Sequence, residues 1–203
     1  MQIYTFKEPP IDNNNYLLID EESKEAALVD CSAYEIFDEI AEILNQNNAG
    51  LKYILLTHGH FDHVAGIRNN RATVVMHKDD FKELHQTNKY LPMFGIPEIT
   101  IPNVDRYVED GDIVKLGNSE IKVLHTPGHT QGGVCYYTDG KLFSGDTIFR
   151  EAVGRCDLEG GDFSQLVKSI ENKVYSLPDE TIIYPGHGSS TTVGWEKLHN
   201  KFL

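Results

Sequence analysis

Cationic residues are scarce in this chain: 18 lysines and arginines stand against 31 aspartates and glutamates, a formal charge of −13 over 203 residues. That balance excludes a nucleic-acid or anionic-membrane partner, since both need a cationic face. Cysteine is scarcer still. Cys31, Cys135 and Cys156 are an odd number, far apart and without a CxxC pair, which argues against a disulfide framework and fits a reduced, cytoplasmic setting. No apolar run approaches the length of a membrane span. Residues 1–20 lack a basic segment followed by an apolar one, so no signal peptide is expected. Linkers, low-complexity tracts and short repeats are also missing. With 40% hydrophobic and 24% charged residues, the composition is that of a soluble globular domain.

Short strands are expected at 2–6, 15–19 and 25–30, separated by turn-rich asparagines and charged residues. Ile36, Phe37, Ile40, Ala41, Ile43 and Leu44 recur at helical spacing and predict a helix over 33–48, with Gly50 as its C-terminal cap. A buried strand at 52–57 follows, then a helix beginning near Asp62, a strand at 72–76 and a helix at 78–85. Pro92, Gly95, Pro97 and Pro102 make 86–111 the least regular part, expected to be a long loop. Strands are predicted at 113–116, 119–125, 133–138, 141–144 and 180–184, with helices at 162–175 and 192–200. This order suggests two packed sheets covered by helices.

Histidine is what the chain does carry, nine in all. Four candidate ligands arrive together as His58-Gly59-His60-Phe61-Asp62-His63, with Gly59 permitting the tight backbone this loop needs. In an extended loop, residues two apart point the same way, so His58 and His60 can converge on one ion. Asp62 and His63 diverge unless a helix starts there. Three later candidates share one local grammar: an apolar run, a glycine, then a ligand. They are Thr126-Pro127-Gly128-His129, Ser144-Gly145-Asp146 and Tyr184-Pro185-Gly186-His187. Imidazoles and carboxylates in this proportion suit two divalent ions, zinc or a similar first-row metal such as iron or manganese. Two such ions can generate hydroxide at neutral pH and steady the charge of a hydrolytic transition state.

These motifs resemble the metallo-β-lactamase superfamily, and within it the glyoxalase II-like (YcbL-type) branch of short bacterial hydrolases. The resemblance runs through Thr57–His63, Met93-Phe94-Gly95-Ile96-Pro97, Thr126–Thr130, Leu142–Phe149, Gly154-Arg155, Pro185–Gly188 and the tail from Thr191. It implies a mixed α/β fold, the four-layer αββα sandwich. It also implies a first ion held by His58, His60 and His129, a second held by Asp62, His63 and His187, and Asp146 bridging both. The implied activity is hydrolysis of a small acyl thioester, S-lactoylglutathione or a relative, by a metal-bound hydroxide, with Asp62 also orienting the water. The extra C-terminal helical domain that helps full-length glyoxalase II hold glutathione is expected to be absent, leaving residues 1–203 as one domain.

Arg155 stands where the family has a basic glutathione contact, whereas Asp157 and Ser189 replace its usual tyrosines. Met93 and Phe94 are candidates to wall a substrate pocket, Arg150 is expected to be structural or solvated, and Cys135 and Cys156 to be packing residues. His125 is expected to support or pack beside the ligand turn that follows it. Two rival activities share the fold: a mononuclear-iron persulfide dioxygenase and a lactonase or β-lactamase. The aspartate at 146, where β-lactamases usually carry cysteine, weighs against the last.

Overall fold

The computed structural model describes residues 1–8, 12–67 and 71–203. Its first sheet is built in sequence from β1 (Gln2–Glu8), β2 (Asn13–Ile19), β3 (Glu25–Val29), β4 (Gly50–Leu55), β5 (Thr73–His77) and β6 (Arg106–Val108), hydrogen-bonded in that order. Its first three strands run antiparallel, and β3 to β6 are parallel. The second sheet contains β7 (Ile113–Leu116), β8 (Ser119–His125), β9 (Val134–Thr138), β10 (Lys141–Gly145), β13 (Ile182–Pro185) and β14 (Thr191–Thr192), in the order β14-β13-β10-β9-β8-β7. Between β10 and β13 lies a small hairpin of β11 (Ile148–Phe149) and β12 (Ala152–Val153).

Side-chain alternation explains the layers. Along β2, Leu17 and Ile19 face one way and pack with Ile36, Ile40, Ile54 and Leu56, under helix α1 (Ile36–Asn47). Tyr16 and Leu18 face the other way and meet Val123, Tyr136 and Phe143 between the sheets. On the far side of the second sheet, Leu124, Cys135, Leu142 and Ile183 pack against Leu166, Ile170, Val174 and Val193. Each fully buried leucine of these layers contributes about 1.5–3 kcal/mol. The result is the expected αββα sandwich.

Several local expectations differ from the structure. Asn48, with φ 51°, caps α1 and donates its N–H to Asn45 and Leu44, whereas Gly50 opens β4. Asn13 and Asn14, expected in the turn before the 15–19 strand, are instead buried members of β2. The 86–111 stretch is more ordered than a loop: helix α2 (Phe61–Val64) and helix α3 (Phe81–His85) are followed by α4 (Thr87–Tyr90), a 3₁₀ turn at Leu91–Phe94, and β6. Pro92 sits in the first turn of the 3₁₀ element, where a proline is tolerated, and Pro97 and Pro102 fall between that element and β6. The 162–175 helix is α5 (Phe163–Ser169) continued by a π turn over Ile170–Val174. A last helix, α6, spans Val193–His199.

Candidate metal centre

Strand direction gathers the candidate ligands. β10 runs parallel to β13 and antiparallel to β9, which is antiparallel to β8, so β8, β10 and β13 all point the same way. Their C-terminal ends therefore share one rim, where His129, Asp146 and His187 follow. The segment after β4 brings His58, His60, Asp62 and His63 to the same rim from the other sheet. α2 starts at Phe61 and turns Asp62 away from His60, as the adjacency of Asp62 and His63 requires.

All seven side chains converge. His58, His60 and His129 form one donor group and Asp62, His63 and His187 another, the donor atoms of each lying within 4.8 Å of one another. Asp146 spans them. Its Oδ1 is 3.3 Å from His63 Nε2, and its Oδ2 is 3.6 Å from both His129 Nε2 and His187 Nε2. The Nε2 atoms of His58 and His129 stand 3.2 Å apart, and His187 Nε2 is 3.3 Å from Asp62 Oδ2. Bonds of about 2.0–2.1 Å to a tetrahedral ion give donor–donor separations of about 3.3 Å, so these spacings fit donors sharing an ion. Two buried atoms, His63 Nε2 and Asp146 Oδ1, have no hydrogen-bond partner. Buried polar atoms are seldom left so, and both face the middle of the group. Gly186 leaves room for it, because a Cβ there would lie 2.4 Å from Asp146 Oδ1 and 2.8 Å from His63 Cε1. The donor set and its geometry fit a pair of divalent ions.

Hydrogen bonds aim three imidazoles. His63 Nδ1 donates to Asp30 Oδ2 at 2.8 Å, His129 Nδ1 to the Arg155 carbonyl at 2.7 Å, and His58 Nδ1 to Thr57 Oγ1 at 3.1 Å. Thr57 Oγ1 donates onward to Asp30 Oδ2 at 2.8 Å. With Nδ1 protonated in each ring, Nε2 carries the free lone pair toward the centre.

The electrostatics divide the group. Burial pushes His58 far below its ordinary pKa, helped by the neighbouring His63 and His129. Burial and His129 bring His60 down to about 4. His63 goes the other way: burial would lower it, but the carboxylates of Asp30, Asp146 and Asp62 together raise it well above its usual range. His187 is raised as well, since its bond to Asp62 and the charge of Asp146 outweigh burial. Asp62 and Asp146 are lowered despite burial, chiefly by the charge of His63. Protons thus occupy the positive positions that a cation would take, and metal binding has to release them.

Asp30, Asp80, Asn13 and Asn14 support the centre and were not singled out in the sequence. Asp30, at φ 58°, accepts from Thr57 N and Thr57 Oγ1 as well as from His63. One signal could have found it: Val29-Asp30 closes an apolar strand much as Gly145-Asp146 does. Buried Asp80 accepts from Gly59 N at 2.8 Å, Thr130 Oγ1 at 2.8 Å and Gly132 N at 2.6 Å, tying the His58–His63 loop to the His129 turn. Gly59 serves that approach: a Cβ there would come within 2.8 Å of the Asp80 carbonyl. Asn13 Nδ2 donates to the Asp62 carbonyl at 2.5 Å, and Asn14 Nδ2 to the Pro185 and Gly188 carbonyls at 2.9 Å each, clamping the His187 turn.

Other candidates sit apart from the donors. The Arg155 side chain is exposed and forks onto Asp157 at 2.7 and 2.8 Å; only its carbonyl reaches the centre. Met93 is 77% exposed, and Phe94 stacks on Phe61 at 4.8 Å. Cys135 is buried, whereas Cys156 is only half-buried. His125 packs its ring on His77 at 4.1 Å and 9°, and its Nε2 bonds the Gln131 carbonyl. Although Asp79 lies close to both rings, parallel stacking keeps their in-plane lone pairs from meeting on one ion.

Residues 9–187 match the sequence profile of the metallo-beta-lactamase superfamily. The hydroxyacylglutathione hydrolase GloC of Haemophilus influenzae is 34% identical over 198 residues, covering 93% of this chain and 92% of that protein. Among solved structures, the BLEG-1 B3 metallo-beta-lactamase is 35% identical with a TM-score of 0.86, covering 99% of each chain. TTHA1623, solved in a di-iron-bound form, is 32% identical with a TM-score of 0.86, covering 98% of this chain and all of the other.

Proposed function

The chain belongs to the metallo-beta-lactamase superfamily, and from that premise we propose that it is a thioesterase of glyoxalase II type, holding two divalent ions, zinc or iron, and hydrolysing a small acyl thioester such as S-lactoylglutathione. The observation that carries this reading is the pair of donor triads joined through the two oxygens of Asp146, with buried His63 Nε2 and Asp146 Oδ1 unpartnered between them. His58, His60 and His129 would hold one ion, Asp62, His63 and His187 the other, and Asp146 both. When bound, such ions supply Lewis acidity, lowering the pKa of water and polarising an acyl carbonyl.

The remaining work falls to the protein. Asp30, Thr57 and the Arg155 carbonyl fix the histidine tautomers, so the donors are aligned before substrate arrives. Asp62 is held ionised by His63 and His187, and its side chain keeps 14% exposure. It can therefore accept a hydrogen bond from an incoming water and orient it toward the acyl carbon. Phe61 and Phe94 present an apolar face beside His60 for the acyl or thiol portion. The similarity to a hydroxyacylglutathione hydrolase supports the thioester, and the di-iron form of TTHA1623 supports the paired ions. Similarity to BLEG-1 makes β-lactams the second substrate class to test.

The test is to measure metals per chain, then follow thiol release from S-lactoylglutathione and other acyl thioesters in the same sample, with lactones and penicillins alongside. Two ions per chain with rapid thiol release, both lost in Asp146→Ala, is the expected result. One iron with oxygen uptake on glutathione persulfide, or faster cleavage of a β-lactam or lactone, refutes it.

A further inference from the structure

The two sides of the centre offer a substrate different groups. On the His60 side, Phe61 stacks with Phe94 at 4.8 Å and with Tyr90 at 6.2 Å, and a shallow cleft lined by His60, Phe61, Glu83, Tyr90 and Glu159 opens beside them. The cations described there are already engaged. Lys82 pairs with Glu159, Lys89 lies over the Tyr90 ring at 5.2 Å, and Arg155 is forked onto Asp157. Glu83 adds a partly buried carboxylate that has no cationic partner within ion-pair distance among the described residues. A substrate carboxylate placed on this side meets the carboxylates of Glu83 and Glu159, and Lys89, held by a ring rather than a carboxylate, is a point charge without the planar fork of a guanidinium.

The His187 side is different. The Phe149 ring meets the His187 ring edge-on at 6.0 Å. The next residue, Arg150, lays its guanidinium over the Trp195 ring at 5.0 Å, and its Nη1 makes one long bond, 3.5 Å, to the Ser190 carbonyl just beyond His187. The Trp195 indole is itself held by its Nε1 donating to Glu151 Oε1 at 3.1 Å. Two contacts thus place the guanidinium beside the His187 loop, and among the described residues no carboxylate pairs with it. A guanidinium has five N–H donors in a planar fork that matches a carboxylate, and stacking on an aromatic face holds that fork in one plane. Arg150 presents a prepared anion receptor with most of its donors free. Arg155, its neighbour in sequence, has spent its fork on Asp157.

Resting on the thioesterase reading, we propose that Arg150 reads a carboxylate of the substrate on the His187 side, while the uncharged, apolar part of the thioester lies against Phe61 and Phe94. The substrate class is then an acyl thioester that is anionic at one end and apolar at the other, entering in a single orientation. Neutral thioesters of the same acyl group are poorer substrates, and the difference resides in Arg150.

Two arms test this on the metal-loaded protein. The first compares kcat/KM for S-lactoylglutathione and for its dimethyl ester, which carries the same acyl group without carboxylates. In wild type the anionic form is favoured, and Arg150→Gln lowers its kcat/KM about tenfold, mainly through KM, as expected for one charged hydrogen-bonded contact. Arg150→Lys restores part of the preference, because it returns the charge without the fork. Arg155→Gln leaves the preference in place. The proposal is overturned if Arg150→Gln leaves the ratio of free acid to dimethyl ester unchanged, or if Arg155→Gln abolishes it. The second arm titrates S-hexylglutathione and its dimethyl ester as non-hydrolysed ligands. A tenfold weaker binding of the free acid by Arg150→Gln supports the proposal; equal affinity in variant and wild type, or no binding to wild type, overturns it. If no thioester is cleaved at all, the thioesterase reading falls and the binding arm still decides the role of Arg150.

Discussion

Asp30→Asn isolates how much of the centre depends on a residue that donates nothing to it. The backbone there sits at φ 58°, a left-handed conformation that asparagine adopts about as readily as aspartate, so the substitution adds no backbone strain. It removes a charge and one acceptor. Asp30 Oδ1 accepts from Thr57 N, and Oδ2 from Thr57 Oγ1 and His63 Nδ1, all at 2.8 Å. Whichever way the new amide faces, an N–H₂ meets at least one buried N–H donor, at a cost of about 1–3 kcal/mol. His63 loses the carboxylate that fixes its tautomer, and support of this kind is worth about 10–100-fold in metal affinity. Because Thr57 also orients His58, both ions should bind more weakly, that of His63 the more.

The metal-free protein gives an independent reading of the same contact. His63 is raised well above the ordinary histidine value in the fold, and Asp30 is the strongest of the carboxylates that raise it. A histidine with a raised folded pKa contributes stability that is complete below its unfolded pKa of about 6.5 and is lost as pH rises through the folded value. Stability of the metal-free protein should therefore decline from neutral into alkaline pH, and Asp30→Asn should flatten that decline. Urea unfolding across pH 6–9, with and without saturating zinc, together with metal titration against a competing chelator, measures both effects. An Asp30→Asn protein that keeps wild-type affinity for both ions and the same alkaline slope refutes the reasoning.

Three further outcomes follow from other contacts. Gly186→Ala places a methyl 2.4 Å from Asp146 Oδ1 and should cost at least tenfold in metal affinity while the protein still folds, as read by metal titration and circular dichroism. Burial raises Asp80 to about 6, from about 3.8 when unfolded, so its contribution to stability is greatest in acid and is lost as pH rises through that interval; wild type minus Asp80→Asn should fall by about 2 kcal/mol between pH 4 and 7 in urea melts. Asn14→Ala removes two bonds to the His187 turn and should lower the affinity of the second ion selectively, measured as metals retained per chain after dialysis.

The seven converging side chains were legible because each follows a short apolar run and the first four are contiguous, so local pattern and donor chemistry coincide. The strands were legible as short apolar runs between turn residues, but which side chain faces which layer was not, because β2 and β10 are buried on both faces and only β8 alternates in part. Asp30, Asp80, Asn13 and Asn14 were not legible either. In sequence they are ordinary polar members of a strand, a helix and a turn, and the backbone groups they satisfy lie far along the chain: Gly132 for Asp80, Pro185 for Asn14. Nothing local encodes a bond that only the closed sandwich creates. The short elements of 86–111 were hidden by their prolines: Pro92 opens the Leu91–Phe94 turn, and Pro97 and Pro102 separate it from β6.

The two sheets are consecutive stretches of chain, β1 to β6 and then β7 to β14, and the donor set draws four members from the first stretch and three from the second. Cations bound there would therefore act as rivets across a seam between halves that each complete their own hydrogen-bonded ladder. Cutting the polypeptide within the Glu109–Asp112 turn should leave two fragments whose reassociation is strengthened by zinc and reversed by a chelator. In such a split protein, occupancy of the centre would report directly on assembly of the halves.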